Sequence, residues 1–411
     1  MAATGLPGRS DEYWRYTNLN ALAKADYSPA VADLPPADAI AVRIDAELAG
    51  LDGYRIVFVN GRLQAGLCSF DELPDGVILA GLADMLAREP QRLESWLGRI
   101  GSLDGMPLAA LNTAFVDDGM VLMLDAGVTL DRPVHLVSVG TAGVSFQPRN
   151  LVVLGDGATA SLLEFHIGMD TGAAYFANIV GEISLGKGAR LDHGKLQDEA
   201  AAAQHLALSD ARLAHGAIFE SFTLQTGAAL GRHETRVRLD GEDIDCALAG
   251  VYLGRDGQVL DNTTLVDHCA PGCRSRQVFK GVLDGKSRGV FQGKIHVRRE
   301  AQQTDGHQQS RALLLSPRAE ADMRPELEIY ADDVKCSHGA TAGDLDADTM
   351  FYLLSRGIDR ASARRLLVGA FVTDALDQIR APEITDFFTA RIEQWLDTHI
   401  GALADVGDDT P

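Results

Sequence analysis

Cys336-Ser337-His338 is the sharpest chemical signal in the chain. It follows Leu327–Tyr330 and the polar pair Asp332-Asp333 in a strand-like context. On a strand, residues i and i+2 share a face, so a thiol and an imidazole would lie side by side. That pair of soft and borderline donors suits iron or zinc. Two donors are too few for a closed site, so the remainder would come from a partner chain or be left open. The same residues also suit a packed cysteine and a hydrogen-bonded histidine, and the spacing alone leaves both readings open. Cys269 and Cys273 flank Ala270-Pro271-Gly272, with His268 adjacent. A turn there lets both thiols converge, yet no second pair accompanies them, which favours a loop with partly buried thiols. Gly281–Ser287 (GVLDGKS) imitates a phosphate loop but has three residues between its glycines instead of four. A strand-like run follows where a helix is needed, so a Gly-rich β-turn is expected. His233-Glu234 lacks the second histidine of a zinc-protease helix, and neither G-x-S-x-G nor G-x-G-x-x-G occurs.

The elements that must position these residues fall into three textures. In residues 1–114 a mostly helical region is expected. Ser10 caps a first helix carrying Trp14, Leu19 and Leu22, and Ser28–Asp38 is a surface connection. Tyr54–Val59 is a strand closed by the turn Asn60-Gly61, Ala80–Arg99 is a second helix, and Leu108–Ala114 is a further helical turn. From Phe115 to Gly343 short alternating runs take over: 120–124, 133–139 and 149–154 read as strands. Gly-Ala then recurs at 157, 188, 216 and 227 ahead of further alternating runs, at spacings of 31, 28 and 11 residues. Glycine supplies positive φ at a corner, and strands without intervening helices suggest a sandwich, a barrel or a parallel β-helix. Periodicity does not separate the three.

Residues 344–411 return to helix. Asp344 or Asp346 caps the first, Gly357 stops it, Asp359 opens the second, and Pro382 starts a third carrying Phe388, Ile392, Trp395 and Leu396. Ala363, Leu366, Leu367, Ala370 and Phe371, at i, i+3, i+4, i+7 and i+8, form one apolar stripe for the core to bury. Arg360, Arg364 and Arg365 crowd the front of that helix, as a solvated face or a docking surface. The tail ADVGDDTP is expected to fray.

Composition narrows the functional classes. Lys plus Arg is 37 against 58 Asp plus Glu, a net charge of −21. Nucleic acid and anionic membranes are therefore poor partners. Five cysteines do not suggest a disulfide framework, and the start MAATGLPGRS has no apolar core of a secretory signal. A soluble, cytoplasmic protein with reduced thiols is expected.

Several longer runs resemble one family. Phe291–Ile295 (FQGKI), 301–341 (AQQTDGHQQSRALLLSPRAEADMRPELEIYADDVKCSHGAT) and 350–358 (MFYLLSRGI) closely resemble the SufB/SufD family of iron–sulfur cluster assembly proteins. So do 5–19, 58–62, 111–115 and 149–158, so the resemblance covers nearly the whole chain. It implies a mainly β fold: a right-handed parallel β-helix between N- and C-terminal helical regions. It implies a non-catalytic scaffold in a complex of a SufB-type subunit, a D-type subunit and the SufC ATPase. That complex builds a transient iron–sulfur cluster shared between subunits. The ATPase carries the phosphate loop, so this chain is expected to bind no nucleotide.

The motif resembles the D-type member, because Gly339 stands where the B-type usually has Glu. No cysteine lies near Val237, where the B-type has its sulfur-accepting one; Cys246 is offset from that place. By this resemblance His338 sits at the boundary with the SufB-type subunit and Cys336 has the less certain role. The ATPase would dock on the C-terminal helices, with Arg360, Arg364, Leu366, Leu367 and Phe371 as the candidate surface. A B-type-like paralogue, a polysaccharide-active β-helix enzyme and a self-associating scaffold are the competing readings. Homodimerisation of the isolated chain is left open.

Overall fold

The computed structural model describes residues 5–29, 34–70, 72–103, 105–141, 143–169, 172 and 174–400. The N-terminal part carries α1 (Asn20–Lys24), β1 (Ser28–Pro29), α2 (Ala37–Glu47), β2 (Tyr54–Val59), β3 (Arg62–Leu63), β4 (Val77–Gly81), α3 (Leu82–Arg88) and α4 (Pro107–Phe115). Strands then succeed one another: β5 (Met120–Leu124), β6 (Val134–Gly140), β7 (Val144–Phe146), β8 (Arg149–Leu154), β9 (Thr159–Gly168), β10 (Phe176–Leu185), β11 (Arg190–Asp198), β12 (Gln204–Leu213) and β13 (Ile218–Gln225). The series continues with β14 (Leu230–Leu239), β15 (Asp245–Gly254), β16 (Val259–His268), β17 (Arg274–Leu283), β18 (Arg288–Val297), β19 (Thr304–Leu314), β20 (Glu320–Ile329) and β21 (Val334–Gly343). Helices α5 (Ala347–Ser355), α6 (Arg360–Leu376) and α7 (Pro382–His399) follow.

From β8 onward each strand pairs in parallel with the strand two places on. Even strands from β20 down to β8 make one sheet and odd strands from β21 down to β9 the other. This is a parallel β-solenoid of about eight turns, so the β-helix expected from the resemblance is the fold, and the sandwich and the barrel are excluded. Parallel crossovers in one sheet are right-handed almost without exception. Coil length varies, with Gln204, Leu230, Val259, Arg288 and Glu320 at stacked positions, which is why no strict repeat is legible.

The Gly-Ala corners have a physical cause. Gly157, Gly188 and Gly216 have φ of 69°, 63° and 67°, and each donates its N–H to the next coil's corner. Ala158, Ala189 and Ala217, which follow them, are fully buried. Gly241 packs so tightly on the His215 backbone that a Cβ would collide with it. Gly241→Ala is therefore expected to cost about 1–3 kcal/mol and lower the melting temperature; an unchanged melt would contradict this packing.

Inside the solenoid, alternate residues meet in an apolar file including Leu162, Leu191, Phe219, Cys246 and Phe291. Outside, α6 and α7 cover the odd-numbered sheet over Phe165, Phe222, Val251 and Val278. Asp346 and Asp359 cap α5 and α6 by accepting from the Thr349 and Ser362 N–H groups, and Gly357 (φ 83°) ends α5.

Some expected elements differ. Around Ser10 there is only a 3-10 turn, Glu12–Trp14, and α1 begins at Asn20. The segment is drawn out along the even-numbered sheet instead: Trp14 lies over the Arg232 guanidinium, Thr17 bonds Asp261, and the Tyr13 carbonyl accepts from Gln292. Ser28–Asp38 holds β1 and the start of α2, a helix the sequence reading did not anticipate; residues 30–33 lie outside the described set. Within Ala80–Arg99 the α-helix is only α3. Its first residues are taken by β4, and Pro90 forces Glu89 out of helical backbone. The helix-6 stripe is also displaced. Ala363 is buried as expected, but the other buried positions are Val368, Val372, Ala375 and Leu376, while Leu366 is exposed and Phe371 is half-buried beneath Lys280. The tail expected to fray lies outside the described residues.

Candidate functional site

The last coil ends the solenoid without a cap of further strands among the described residues: β20 and β21 are the edge strands of the two sheets. They differ as edges. β20 carries Pro325 and outward-facing Asp322, Arg324, Glu326 and Glu328, the devices that discourage strand addition. β21 has no proline, and from His338 to Gly343 it is exposed and made mostly of small residues. Its free N–H and C=O groups form an open pairing template.

The register fixes which side chains face the interior. In β19, Thr304, Gly306, Gln308 and Ser310 are buried in alternation with half-buried or exposed neighbours. Val334, Cys336, His338 and Ala340 stack beneath them, pair by pair. Ser337 points outward, where its hydroxyl meets His307 Nδ1 at 2.7 Å. Cys336 and His338 therefore share the inner face of the terminal rung, as the i, i+2 spacing predicted. Cys336 is half-buried beside Ile295, Val297, Ala301 and Leu327, and His338 is exposed. Burial raises the Cys336 thiol above its ordinary value, a backbone hydrogen bond with Gly306 opposes this, and the Asp305 charge adds to the rise. A metal captured by this sulfur must displace its proton.

The other sequence candidates are structural. Cys269 is half-buried and pushed up to about 12 by burial, and Cys273 is buried and donates to the Gly241 carbonyl at 3.1 Å. His268 is fully buried against Ser275 Oγ at 2.8 Å. Cys246 lies fully buried inside the solenoid. The phosphate-loop imitation is the tight turn between β17 and β18, with Gly285 at φ 63°. His233 is buried in the lumen. Among the described residues, no three His, Cys, Asp or Glu side chains converge to hold a metal ion. None of the described helices is long and apolar enough to cross a membrane.

Of the candidate docking residues, Arg360 and Leu366 are exposed, Leu367 is half-buried, and Arg364 is held by the Leu315 carbonyl at 3.2 Å. Phe371 sits under the buried Lys280 ammonium, 4.7 Å from its ring centroid. The sequence reading missed Phe351 and Tyr352 on α5, which are 73% and 54% exposed. It also missed Gly306 and Gln308, whose neighbours in the rung only strand register reveals.

The last rung of the solenoid is thus open and presents a thiol and an imidazole on its inner face. Residues 137–371 match the SUF system FeS cluster assembly, SufBD core domain, and residues 1–136 match the SufBD protein N-terminal region. The chain is 32% identical over 398 residues to the iron-sulfur cluster assembly SufBD family protein slr0076 of Synechocystis, covering 92% of this chain and 85% of that one. It is 31% identical over 401 residues to the iron-sulfur cluster assembly protein SufD of Escherichia coli, covering 96% and 90%. Protein ABCI7, chloroplastic, of Arabidopsis thaliana is 31% identical over 94% of this chain and 82% of its own length. The chain belongs to the SufBD family of iron–sulfur cluster assembly proteins.

Proposed function

We propose that this chain is the D-type subunit of a cytoplasmic iron–sulfur cluster assembly scaffold. It pairs through its last coil with a SufB-type subunit and couples to the SufC ATPase through its C-terminal helices. The observation that carries this reading is the unprotected β21 edge with Cys336 and His338 on its inner face. A partner strand added there would bring its own donors beside the pair and supply the ligands this chain lacks. The nascent cluster is cargo: His338 offers a neutral imidazole to iron, and Cys336 offers a thiolate once its proton leaves. This chain's part is positioning, with no bond-making chemistry and no nucleotide of its own.

The test is co-expression with the B-type subunit and the ATPase, followed by spectroscopy of the purified complex. His338→Ala is expected to assemble normally and lose most of its cluster yield. The exposed His338 side chain contributes little to core packing, so the variant is expected to fold. Cys336→Ala is expected to lose less. Wild-type yield from His338→Ala would remove the site. Lys286 is exposed on its turn, and Lys286→Ala is expected to leave the ATPase rate of the complex intact; a large loss would reopen the phosphate-loop reading.

A further inference from the structure

Two buried side-chain amides stack in the lumen directly behind His338. Gln277 and Gln308 are register partners on β17 and β19, and His338 is the next partner on β21. Gln277 is 1% exposed and Gln308 3%. Gln308 Nε2 donates to Gln277 Oε1 at 3.1 Å, and the Thr264 hydroxyl donates to the same oxygen at 2.6 Å. Those bonds orient the Gln308 amide with its nitrogen committed to the coil behind. Its carbonyl oxygen, Oε1, is buried and has no partner. Room for this amide is made by Gly293 of the FQGKI run, where any Cβ would collide with the Gln308 side chain.

A buried carbonyl oxygen without a donor is costly, and buried acceptors almost always find one. The residue paired with Gln308 across the ladder, at the spacing of neighbouring strands of about 4.8 Å, is His338. A neutral imidazole has one N–H and one lone pair, and whichever nitrogen donates leaves the other free to bind metal. Metal-binding histidines characteristically give their second N–H to a carbonyl or carboxylate, which fixes ring and tautomer.

We propose that Gln308 is the positioning residue of His338. Its orphaned Oε1 accepts the imidazole N–H, selects a single tautomer, and turns the other ring nitrogen toward the open end of the solenoid. Thr264, Gln277 and Gly293 hold Gln308 in that orientation. This rests on His338 being an iron-facing ligand, but its central claim is measurable without iron.

The experiment uses the full chain labelled with 15N-histidine, the His338 signals being identified by their loss in His338→Ala. Long-range proton–nitrogen correlation reports the tautomer. Wild type is expected to show one tautomer at His338. Gln308→Leu, close in volume but without an acceptor, is expected to show both. Gln308→Glu keeps an acceptor and should retain one, and it also serves if the leucine variant does not fold. In the reconstituted complex, Gln308→Leu should lower cluster yield about tenfold or more, with Gln308→Glu recovering part of it. Unchanged tautomer populations in Gln308→Leu, or loss of the single tautomer in Gln308→Glu, overturns the proposal. A tautomer change in Gln308→Leu together with wild-type yield from His338→Ala upholds the positioning contact and discards the ligand reading.

Discussion

Acidification from pH 7.5 to 5.5 is expected to weaken this fold by about 4 kcal/mol, read as a lower urea midpoint and melting temperature. The cause is a set of histidines buried in the neutral form. Burial lowers His135, His166 and His268 to about 4, from an ordinary value of 6.5. It holds His233 well below that value too, helped by the nearby His205 and Lys195 charges. Around His166, Glu164 favours the protonated ring, while His205 and Lys195 oppose it. In the unfolded chain all four protonate as the pH falls through 6.5, whereas the folded chain excludes those protons until about 4 or below. The unfolded state therefore binds more protons across this window, and between pH 7.5 and 5.5 each ring removes about 1.3 kcal/mol of stability. The contribution is complete above 6.5. Asp210 works the other way: burial raises it to about 6, so the folded state takes up its proton first and returns part of the loss. Below 4.5 the loss steepens again. Glu164 is held well below its ordinary value because Lys195, His166 and His193 outweigh the effect of burial. Equal urea midpoints at pH 7.5 and 5.5 would refute this, and replacing His268 with glutamine should make the pH dependence shallower.

These rings also mark where the sequence stops being legible. Alternation places His193 and Lys195 on one face of β11, but nothing in one strand says that the face is the inside of a closed coil. That became visible only when Lys195 met Glu164 at 3.2 Å on the neighbouring rung and Glu199 met His205 at 3.0 Å within the coil. The corner glycines, the caps Asp346 and Asp359 and the i, i+2 pairing of Cys336 with His338 were readable because each is settled within a few residues. The α6 stripe was misplaced for the complementary reason. Leu366 and Leu367 are apolar, but the solenoid surface that α6 covers decides which residues are buried, and that surface is assembled from distant strands. The choice between sandwich, barrel and solenoid was likewise a matter of register, which local pattern does not encode.

The displaced stripe decides which variants can test ATPase docking on the C-terminal helices. Removing everything after Gly343 would uncover Phe165, Phe222, Val251 and Val278, so lost ATPase binding in that truncation would report a damaged core as readily as a missing dock. Point variants on the exposed side separate the two. Phe351 is 73% exposed, Tyr352 54% and Leu366 49%, on the two helices that follow β21 directly. Large apolar groups left in water on a strongly acidic chain are candidates for a covered interface, and aromatic anchors dominate binding energy when truncated. Phe351→Ser combined with Leu366→Ser is expected to weaken ATPase capture by roughly 30-fold or more, the effect of a loss of about 2 kcal/mol, while the melt of the isolated chain holds or rises. Arg360→Glu with Arg364→Glu should have a smaller effect on affinity and a stronger dependence on salt, because Arg360 is a rim charge and Arg364 is engaged by the Leu315 carbonyl. Phe371 should be left alone, since it packs beneath the Lys280–Asp374 pair that holds α6 to β17, and its loss would mimic a binding defect. If the serine variants bind the ATPase as wild type does, the dock lies elsewhere. The short path from α5 through Asp344 to the His338 rung would then not carry the ATPase's motion to the cluster site.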